Sequence, residues 1–268
     1  MHCMEKGQWS KKKDINILIA LILAIFILNY PILDDKLENF LNTPKQIHVD
    51  RIIDGDTIES NKTSIRLLGI NTPERGEIYY LEAKSFLEQE ILNETVNLKF
   101  GRDKYDKYNR TLAYFFLDNK NINIELIKNG LANYYFPAGK DQYYQEFKNV
   151  WKECLSKNVN LCEASINKCA RCVSVKDLDI KNNVVVLHNS CGFSCDLTGW
   201  KIKDEGRKNF VFSSFILNSG SDIKIRVRNG TDTNDTLFWK GETYVWTKTG
   251  DSLFLRDKEE KLVLWTSY

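Results

Sequence analysis

The 268-residue chain lacks a dominant charge of either sign. It carries 38 lysines and arginines against 36 aspartates and glutamates, a formal net charge of +2. This balance excludes a global field that attracts polyanions, so any nucleic-acid site must be a local patch. The apolar fraction of 43% argues against intrinsic disorder, and the length allows two ordinary domains.

Long apolar runs are also scarce, and the uninterrupted one near the N-terminus covers only residues 17–28. With Ile15 and the flank at residues 30–33, the mostly apolar stretch reaches the roughly 17–25 residues of a membrane-spanning helix. Lysines at residues 11–13 predict a cytoplasmic N-terminus, with the rest of the chain outside. Because no small-x-small cleavage site follows, we favour an uncleaved anchor over a cleaved signal peptide or a buried helix.

The sequence contains seven cysteines. Cys3 precedes the apolar segment and is predicted to be a free thiol. The others are disulfide candidates in an oxidising compartment: Cys154, Cys162, Cys169, Cys172, Cys191 and Cys195. Cys169-x-x-Cys172 with two further cysteines could instead hold zinc, but the spacing of Cys154 and Cys162 is wrong for a second such pair, and the predicted anchor places the cluster outside the cytoplasm. We favour disulfides, and the sequence leaves their pairing open.

Periodicity divides the chain into five predicted parts. They are a basic tip with a transmembrane anchor (1–34), a stalk (35–44), a first domain (45–156), a cysteine-rich linker (157–175) and a second domain (176–268). In the first domain we predict strands at 46–53, 64–70, 95–100 and 111–118, and helices at 80–92, 123–130 and 141–155. This order indicates a small barrel with helices on one side. The second domain has short strand-like runs without helical period, which predicts an all-β sandwich.

Charged side chains cluster where barrel strands end. Asp54 and Asp56 flank Gly55, whose turn brings both carboxylates towards one point. Arg66 lies on the next predicted strand and Arg110 just before a later one. Guanidinium groups bind phosphate oxygens bidentately, and carboxylates can bind Ca²⁺ or Mg²⁺ or activate water. The combination predicts phosphodiester hydrolysis.

Four motifs in fixed order are similar to a known family: VDRIIDGDTIES, IRLLGINTPERG, DKYDKYNRTLAYFF and LIKNGLANYYF. They resemble the staphylococcal-nuclease-like (thermonuclease) family over roughly residues 45–156. The resemblance implies a five-stranded OB-fold barrel with three helices. It also implies calcium-dependent cleavage of DNA and RNA by water attack, with 3′-phosphate ends as products, and Ca²⁺ rather than Mg²⁺ as the cofactor.

The resemblance assigns the metal shell to residues that follow the first and second predicted strands. Asp56 matches the metal carboxylate, Asp54 lies beside it, and Thr72 would offer its backbone carbonyl. Asn71 departs from the family, which usually has aspartate there. Because ligand charge tunes calcium affinity, we expect weaker metal binding than with two aspartates.

The resemblance assigns the catalytic groups as well. Arg66 and Arg110 match the phosphate-binding arginines, Glu74 matches the general base, and Tyr108 falls beside the bound nucleotide.

Further substrate-binding candidates are basic and aromatic residues, chosen for the chemistry of their side chains. Lys104 and Lys107 form a local basic patch suited to a nucleic-acid backbone. Tyr135 is a candidate for stacking on a base, whereas Tyr134 and Phe136 are candidates for either stacking or core packing.

The second domain resembles the lamin-tail domain, an immunoglobulin-like sandwich, through CDLTGWKIKDEG and GDSLFLRDKEEKLVLW. Trp200 is interpreted as a core residue and His188 as structural. No nucleophile and base come together here, so we interpret this domain as non-catalytic, with an unknown ligand. The whole chain is therefore predicted to be a membrane-anchored, extracytoplasmic nuclease. The alternatives are a non-catalytic nucleic-acid-binding protein of the same fold and an envelope scaffold.

Overall fold

The computed structural model describes residues 45–268 and, of the segment before them, Ile19 alone. Residues Gln46–Tyr268 form one compact unit. The stalk, Cys3 and all of the predicted anchor except Ile19 lie outside the described residues. Within the part of the chain that is described, no helix is long and apolar enough to cross a membrane.

The first module is a curved β-sheet with three helices. Its strands are β1 (Lys45–His48), β2 (Arg51–Asp54), β3 (Thr57–Ser60), β4 (Thr63–Leu67), β5 (Ile70–Asn71), β6 (Thr95–Lys99), β7 (Thr111–Leu117), β8 (Lys120–Asn121) and β9 (Asn133–Tyr134). The main sheet has the order β1-β6-β7-β4-β3-β2, with β8 on β7, while β5 pairs with β9. The helices are α1 (Tyr80–Ile91), α2 (Ile122–Lys128) and α3 (Tyr144–Lys157).

All three predicted helices are present, and each has a local cause. On α1, Ala83, Leu87 and Ile91 recur at helical spacing and are buried. The side chain of Asn121 caps α2 by accepting hydrogen bonds from the backbone N–H groups of Asn123 and Ile124. Helix α3 buries apolar residues at helical spacing, as α1 does.

Two predicted strands are each divided in the structure. The stretch 46–53 breaks between β1 and β2 because the chain changes partners: Val49 exchanges backbone hydrogen bonds with residues 93–94, and Asp50 N donates to Glu59 O. The stretch 64–70 breaks between β4 and β5 at Gly69, whose φ of 74° lies in the left-handed region. A side chain at Gly69 would also meet Phe147 at 2.9 Å.

The second module is a sandwich of two four-stranded sheets. One has the order β10-β11-β16-β17 and the other β14-β13-β18-β19, with a small pair β12-β15 beside them. These strands are β10 (Val173–Asp179), β11 (Val184–Asn189), β12 (Cys195–Asp196), β13 (Lys201–Lys203), β14 (Asn209–Val211), β15 (Ile216–Leu217), β16 (Asp222–Val227), β17 (Thr236–Trp239), β18 (Ser252–Arg256) and β19 (Leu262–Ser267). Trp200 is in its core, and His188 pairs with Asp222 at 2.6 Å, so both take structural places.

Three disulfides join the six cysteines of the described region. Cys154 pairs with Cys162, Cys169 with Cys195, and Cys172 with Cys191. The first fastens the end of α3, and the other two fasten the start of the second module. Because all six sulfurs are paired, the structure follows the disulfide prediction rather than the zinc alternative.

The two modules share a hydrophobic core. Phe254 on β18 and Leu262 on β19 belong to the buried cluster of the first module. The Phe254 ring packs edge-on against Trp151 of α3 at 5.5 Å. Polar contacts seal the junction: Tyr134 Oη and Ser252 Oγ lie 2.6 Å apart, and buried Arg256 donates to the carbonyl of Leu161 at 2.8 Å. The relative placement of the modules is therefore fixed by packing.

Candidate nuclease site

The site begins at the turn between β2 and β3. Asp56 is buried, and its Oδ1 accepts a hydrogen bond from Thr57 Oγ1 at 3.0 Å. The Asp56 N–H donates to Asp54 Oδ1 at 3.1 Å, which fixes the two aspartates relative to each other. Gly55 is required between them, since a Cβ there would meet Ala83 Cβ at 2.7 Å and Thr72 Oγ1 at 2.9 Å.

Arg66 on β4 ties this turn to β5. Its Nη1 lies 3.1 Å from Asp56 Oδ2, and its Nη2 donates to Asn71 Oδ1 at 3.2 Å. It also donates to the backbone carbonyls of residues 67 and 70 at 3.2 and 3.3 Å. Since Arg66 is only 7% exposed, these contacts hold its charge in one orientation.

Thr72 completes this group, because its N–H donates to Asp56 Oδ2 at 3.3 Å. The structure thus brings together Asp54, Asp56, Arg66 and Asn71 with the backbone of Thr72, as the sequence predicts. Burial first, and then the neighbouring charge of Asp56, raise the pKa of Asp54. Two carboxylates in a partly buried turn lie beside carbonyl and amide oxygens. Together these groups offer the hard oxygen donors that a divalent cation prefers. This donor set fits the metal that the sequence predicts.

Arg110 lies just before the neighbouring strand β7, but its side chain contacts the loop that precedes this strand. Strand β7 runs parallel to β4, with Thr111 opposite Ile65, so strand spacing puts the Cα atoms of Arg110 and Arg66 about 8 Å apart. The side chain of Arg110 pairs with Asp106, Nε to Oδ2 at 2.7 Å, and stacks on Tyr108 at 5.5 Å. The pKa of Asp106 is lowered: partial burial acts against this, and hydrogen bonds from Arg110 and Tyr108 outweigh it.

Tyr108 and the predicted basic patch occupy the same exposed loop. Tyr108 is 67% exposed. The ammonium of Lys107 lies 5.0 Å from its ring centre, and that of Lys104 lies 4.9 Å from the Phe100 ring. Exposed cations and an aromatic face side by side suit a nucleic-acid strand.

The segment after β9 is divided between core and surface. Tyr134 and Phe136 are buried in the core of the first module, so of their two predicted roles they take packing. Tyr135 is only partly buried. Burial first, and then the charge of Asp204, raise the pKa of its phenol.

Glu74 contacts the second module, which the sequence did not predict. Its Oε1 lies 2.5 Å from Nη2 of Arg207. Three residues on, Glu77 pairs with Lys203 at 2.8 Å. Arg207 belongs to the segment Asp204–Glu205–Gly206–Arg207 after β13, here called the bridging loop. Its sequence gives no sign of a contact with the first module, because that contact depends on how the two modules pack together.

The bridging loop begins with two buried acids. Burial first, and then the charge of Asp251, raise the pKa of Asp204 to about 7. Burial is also the main cause that raises the pKa of Glu205 to about 8. Glu205 is nevertheless well bonded, accepting from Ser252 Oγ at 2.8 Å and from Phe136 N at 3.4 Å. The loop is therefore fastened at its base.

Comparison with known proteins assigns both modules. The family model for staphylococcal nuclease homologues matches residues 64–164, and that for the lamin tail domain matches residues 171–268. The first match includes Arg66, Asn71, Thr72, Glu74 and Arg110; Asp54 and Asp56 lie just before it.

Several relatives are nucleases. The thermonuclease of Staphylococcus intermedius is 36% identical over 125 residues, covering 43% of this chain and 74% of that protein. The thermonuclease of Staphylococcus hyicus is 30% identical over 165 residues, covering 55% and 98%. Endonuclease YncB of Bacillus subtilis is 33% identical over 138 residues, covering 46% and 65%.

Fold, site and relatives together define a hydrolase that acts on nucleic acid. The chain belongs to the staphylococcal nuclease family and carries a lamin tail domain behind the nuclease module. The family predicted from the four motifs is thereby confirmed, and a divalent metal is the cofactor that the family uses. The individual roles of the site residues stay predictions.

Proposed function

We propose that the chain is a membrane-anchored, extracytoplasmic, calcium-dependent nuclease that cleaves DNA and RNA and leaves 3′-phosphate ends. The observation that carries the catalytic part is the buried group of Asp56, Arg66 and Asn71, joined by contacts of 3.1 and 3.2 Å. A buried guanidinium beside a carboxylate that can bind a metal is suited to binding a phosphodiester and offsetting the negative charge that develops in the transition state.

Each residue has one task in this proposal. Asp54, Asp56, Asn71 and the carbonyl of Thr72 hold Ca²⁺, which when bound offsets negative charge on the phosphate. Arg66 binds a phosphate oxygen. Arg110, freed from Asp106, binds another.

The reaction itself breaks the P–O5′ bond. Glu74 orients a water and accepts its proton as the water oxygen bonds to phosphorus. The 5′-oxygen leaves and takes a proton from solvent, while the phosphate stays on the 3′-oxygen. Tyr108 stacks beside the nucleotide, and Lys104 and Lys107 bind the flanking backbone.

The catalytic proposal is tested by metal titration of cleavage in the wild type and in Asn71→Asp. Chelator should abolish nicking of single-stranded DNA, and calcium should restore it. The added carboxylate should lower the calcium midpoint roughly 3–10-fold, because ligand charge tightens calcium binding. Equal midpoints in an Asn71→Asp protein whose thermal unfolding matches that of the wild type would refute the role of Asn71 in the metal shell, and chelator-resistant cleavage would refute metal dependence.

The proposed location is supported by the disulfides at Cys154–Cys162, Cys169–Cys195 and Cys172–Cys191, which persist in oxidising compartments. The basic and apolar N-terminal sequence is consistent with it. When the full chain is produced in a bacterial host, it should sediment with membranes, and protease added to spheroplasts should digest it. Recovery of a protease-protected, soluble protein from the cytoplasm would contradict this location.

A further inference from the structure

The bridging loop makes direct contacts with the nuclease site. Its Gly206 carbonyl accepts a hydrogen bond from Asn71 Nδ2 at 2.9 Å, and its Glu205 carbonyl accepts one from Asn133 Nδ2 at 2.8 Å. Asn71 is buried and also binds Arg66. The loop of the second module therefore touches the side chain that the sequence predicts to be a metal ligand.

The identity of residue 71 fits this loop. Asn71 accepts through Oδ1 from Arg66 and donates through Nδ2 to Gly206. An aspartate could make only the first bond and would place a carboxylate oxygen against a carbonyl oxygen, at a buried position where unmatched polar groups are costly. The departure from the family at this position thus has a structural reason, which is a donor for the second module.

The loop is a fixed part of the site rather than a swinging lid. It leaves β13, which lies in the same sheet as β18, and β18 is packed into the core of the first module through Phe254. The bonds from Ser252 and Phe136 to Glu205 hold the loop on both sides. A substrate strand that reaches Glu74 must therefore pass Arg207.

Only the end of Arg207 is free to change partners. Its side chain is 57% exposed and that of Glu74 is 45% exposed. Exposed ion pairs are weak, so exchanging the carboxylate for a phosphate costs little. Guanidinium groups bind phosphodiesters through paired N–H donors. The exchange would also free Glu74 for the water that it is proposed to hold.

We propose that Arg207 is a strand-binding residue of the nuclease site, contributed by the lamin tail domain: it rests on Glu74 in the free protein and pairs with a backbone phosphate of bound nucleic acid. This inference rests on the proposed position of the nuclease site. The ligand is the phosphodiester backbone, so the contact is independent of base sequence and weakens with salt.

The test compares Arg207→Ala and Arg207→Lys with the wild-type full chain. Binding of a fluorescent single-stranded oligonucleotide is measured by anisotropy in chelator, so that no cleavage is needed, over a series of NaCl concentrations. For Arg207→Ala we expect Kd to rise roughly 5–10-fold and the slope of log affinity against log salt to shrink by about 0.7, the value for one phosphate on a single strand. Arg207→Lys keeps the charge and should restore the slope.

The control is Arg228→Ala, which removes an exposed arginine of the same module that packs against Phe238. It should bind like the wild type. Cleavage with calcium then gives a second readout, in which the loss for Arg207→Ala should appear in KM.

Unchanged Kd and salt slope in Arg207→Ala would overturn the proposal. A rise in kcat for this variant would also overturn the proposal, because it would mean that Arg207 still holds Glu74 in the substrate complex and does not bind the phosphate. Failure of the wild type to cleave would instead contradict the proposed function, while the binding series would still decide the role of Arg207.

Discussion

Replacing Arg110 by alanine should lower kcat/KM for single-stranded DNA by about 10²–10³-fold, the usual effect of removing one preorganised donor to a developing anion. The folded state should change little, since Arg110 pairs with Asp106 at a partly exposed site, with side-chain exposures of 26% and 16%. Arg110→Lys should have an intermediate kcat/KM, because an ammonium keeps the charge but lacks the paired N–H donors of a guanidinium. Initial rates in calcium, with thermal unfolding in parallel, measure both effects.

Arg51→Ala is the matched control for this result. Arg51 pairs with Glu59 at 2.8 Å in the same module, much as Arg110 pairs with Asp106 at 2.7 Å. Its loss should leave cleavage within about twofold of the wild type, as expected for a surface ion pair. If both variants lost activity equally, the effect would belong to barrel stability. If neither did, Arg110 would have no place at the phosphate.

Replacing Glu74 by glutamine should lower kcat by about 10²–10⁴-fold, the range of a positioned general base. Glutamine keeps the shape of the side chain but cannot accept the proton. The same change removes the carboxylate partner of Arg207. The Kd for single-stranded DNA in chelator should therefore stay the same or fall, while kcat for cleavage drops sharply.

Glu77→Gln separates this effect from the loss of any contact between the modules. Glu77 also pairs with a cation of the second module, Lys203, at 2.8 Å. The pKa of Glu77 is lowered: burial acts against this, and the charge and hydrogen bond of Lys203 outweigh it. Glu77 Oε2 also accepts a hydrogen bond from the backbone N–H of Glu74 at 2.9 Å. The amide oxygen of glutamine can keep that bond, so cleavage by Glu77→Gln should stay close to that of the wild type. A Glu74→Gln protein that kept more than about a tenth of wild-type kcat would remove Glu74 from the general-base role.

Much of the fold could be predicted because its signals are local. Helical spacing of apolar residues placed α1, and alternation placed β6 and β7. The breaks at Val49 and Gly69 could not be predicted, since they depend on which strand each segment pairs with. Strand β3 is absent from the predicted strands for a similar reason: it is a short segment that depends on its antiparallel partners β2 and β4.

The site divides in the same way. Asp54, Asp56 and Arg66 could be placed together because turn and strand chemistry brings them close within one module. Arg207 could not, since it lies in the other module, far along the chain from Glu74, and meets it only through packing between modules. Asn71 was noticed as a departure, but its donor role became visible only when the carbonyl of Gly206 was placed opposite it.

The common interior that links Trp151 with Phe254 has a bearing on how this enzyme can be dissected. Truncating the chain near Cys172 would remove the aromatic partner of α3 and expose apolar surface of the first module to solvent. The truncated nuclease module would therefore be destabilised and would not be a minimal form of the enzyme. Its inactivity would say nothing about which half does the chemistry. Point substitutions that leave the contact between the modules intact are the informative ones.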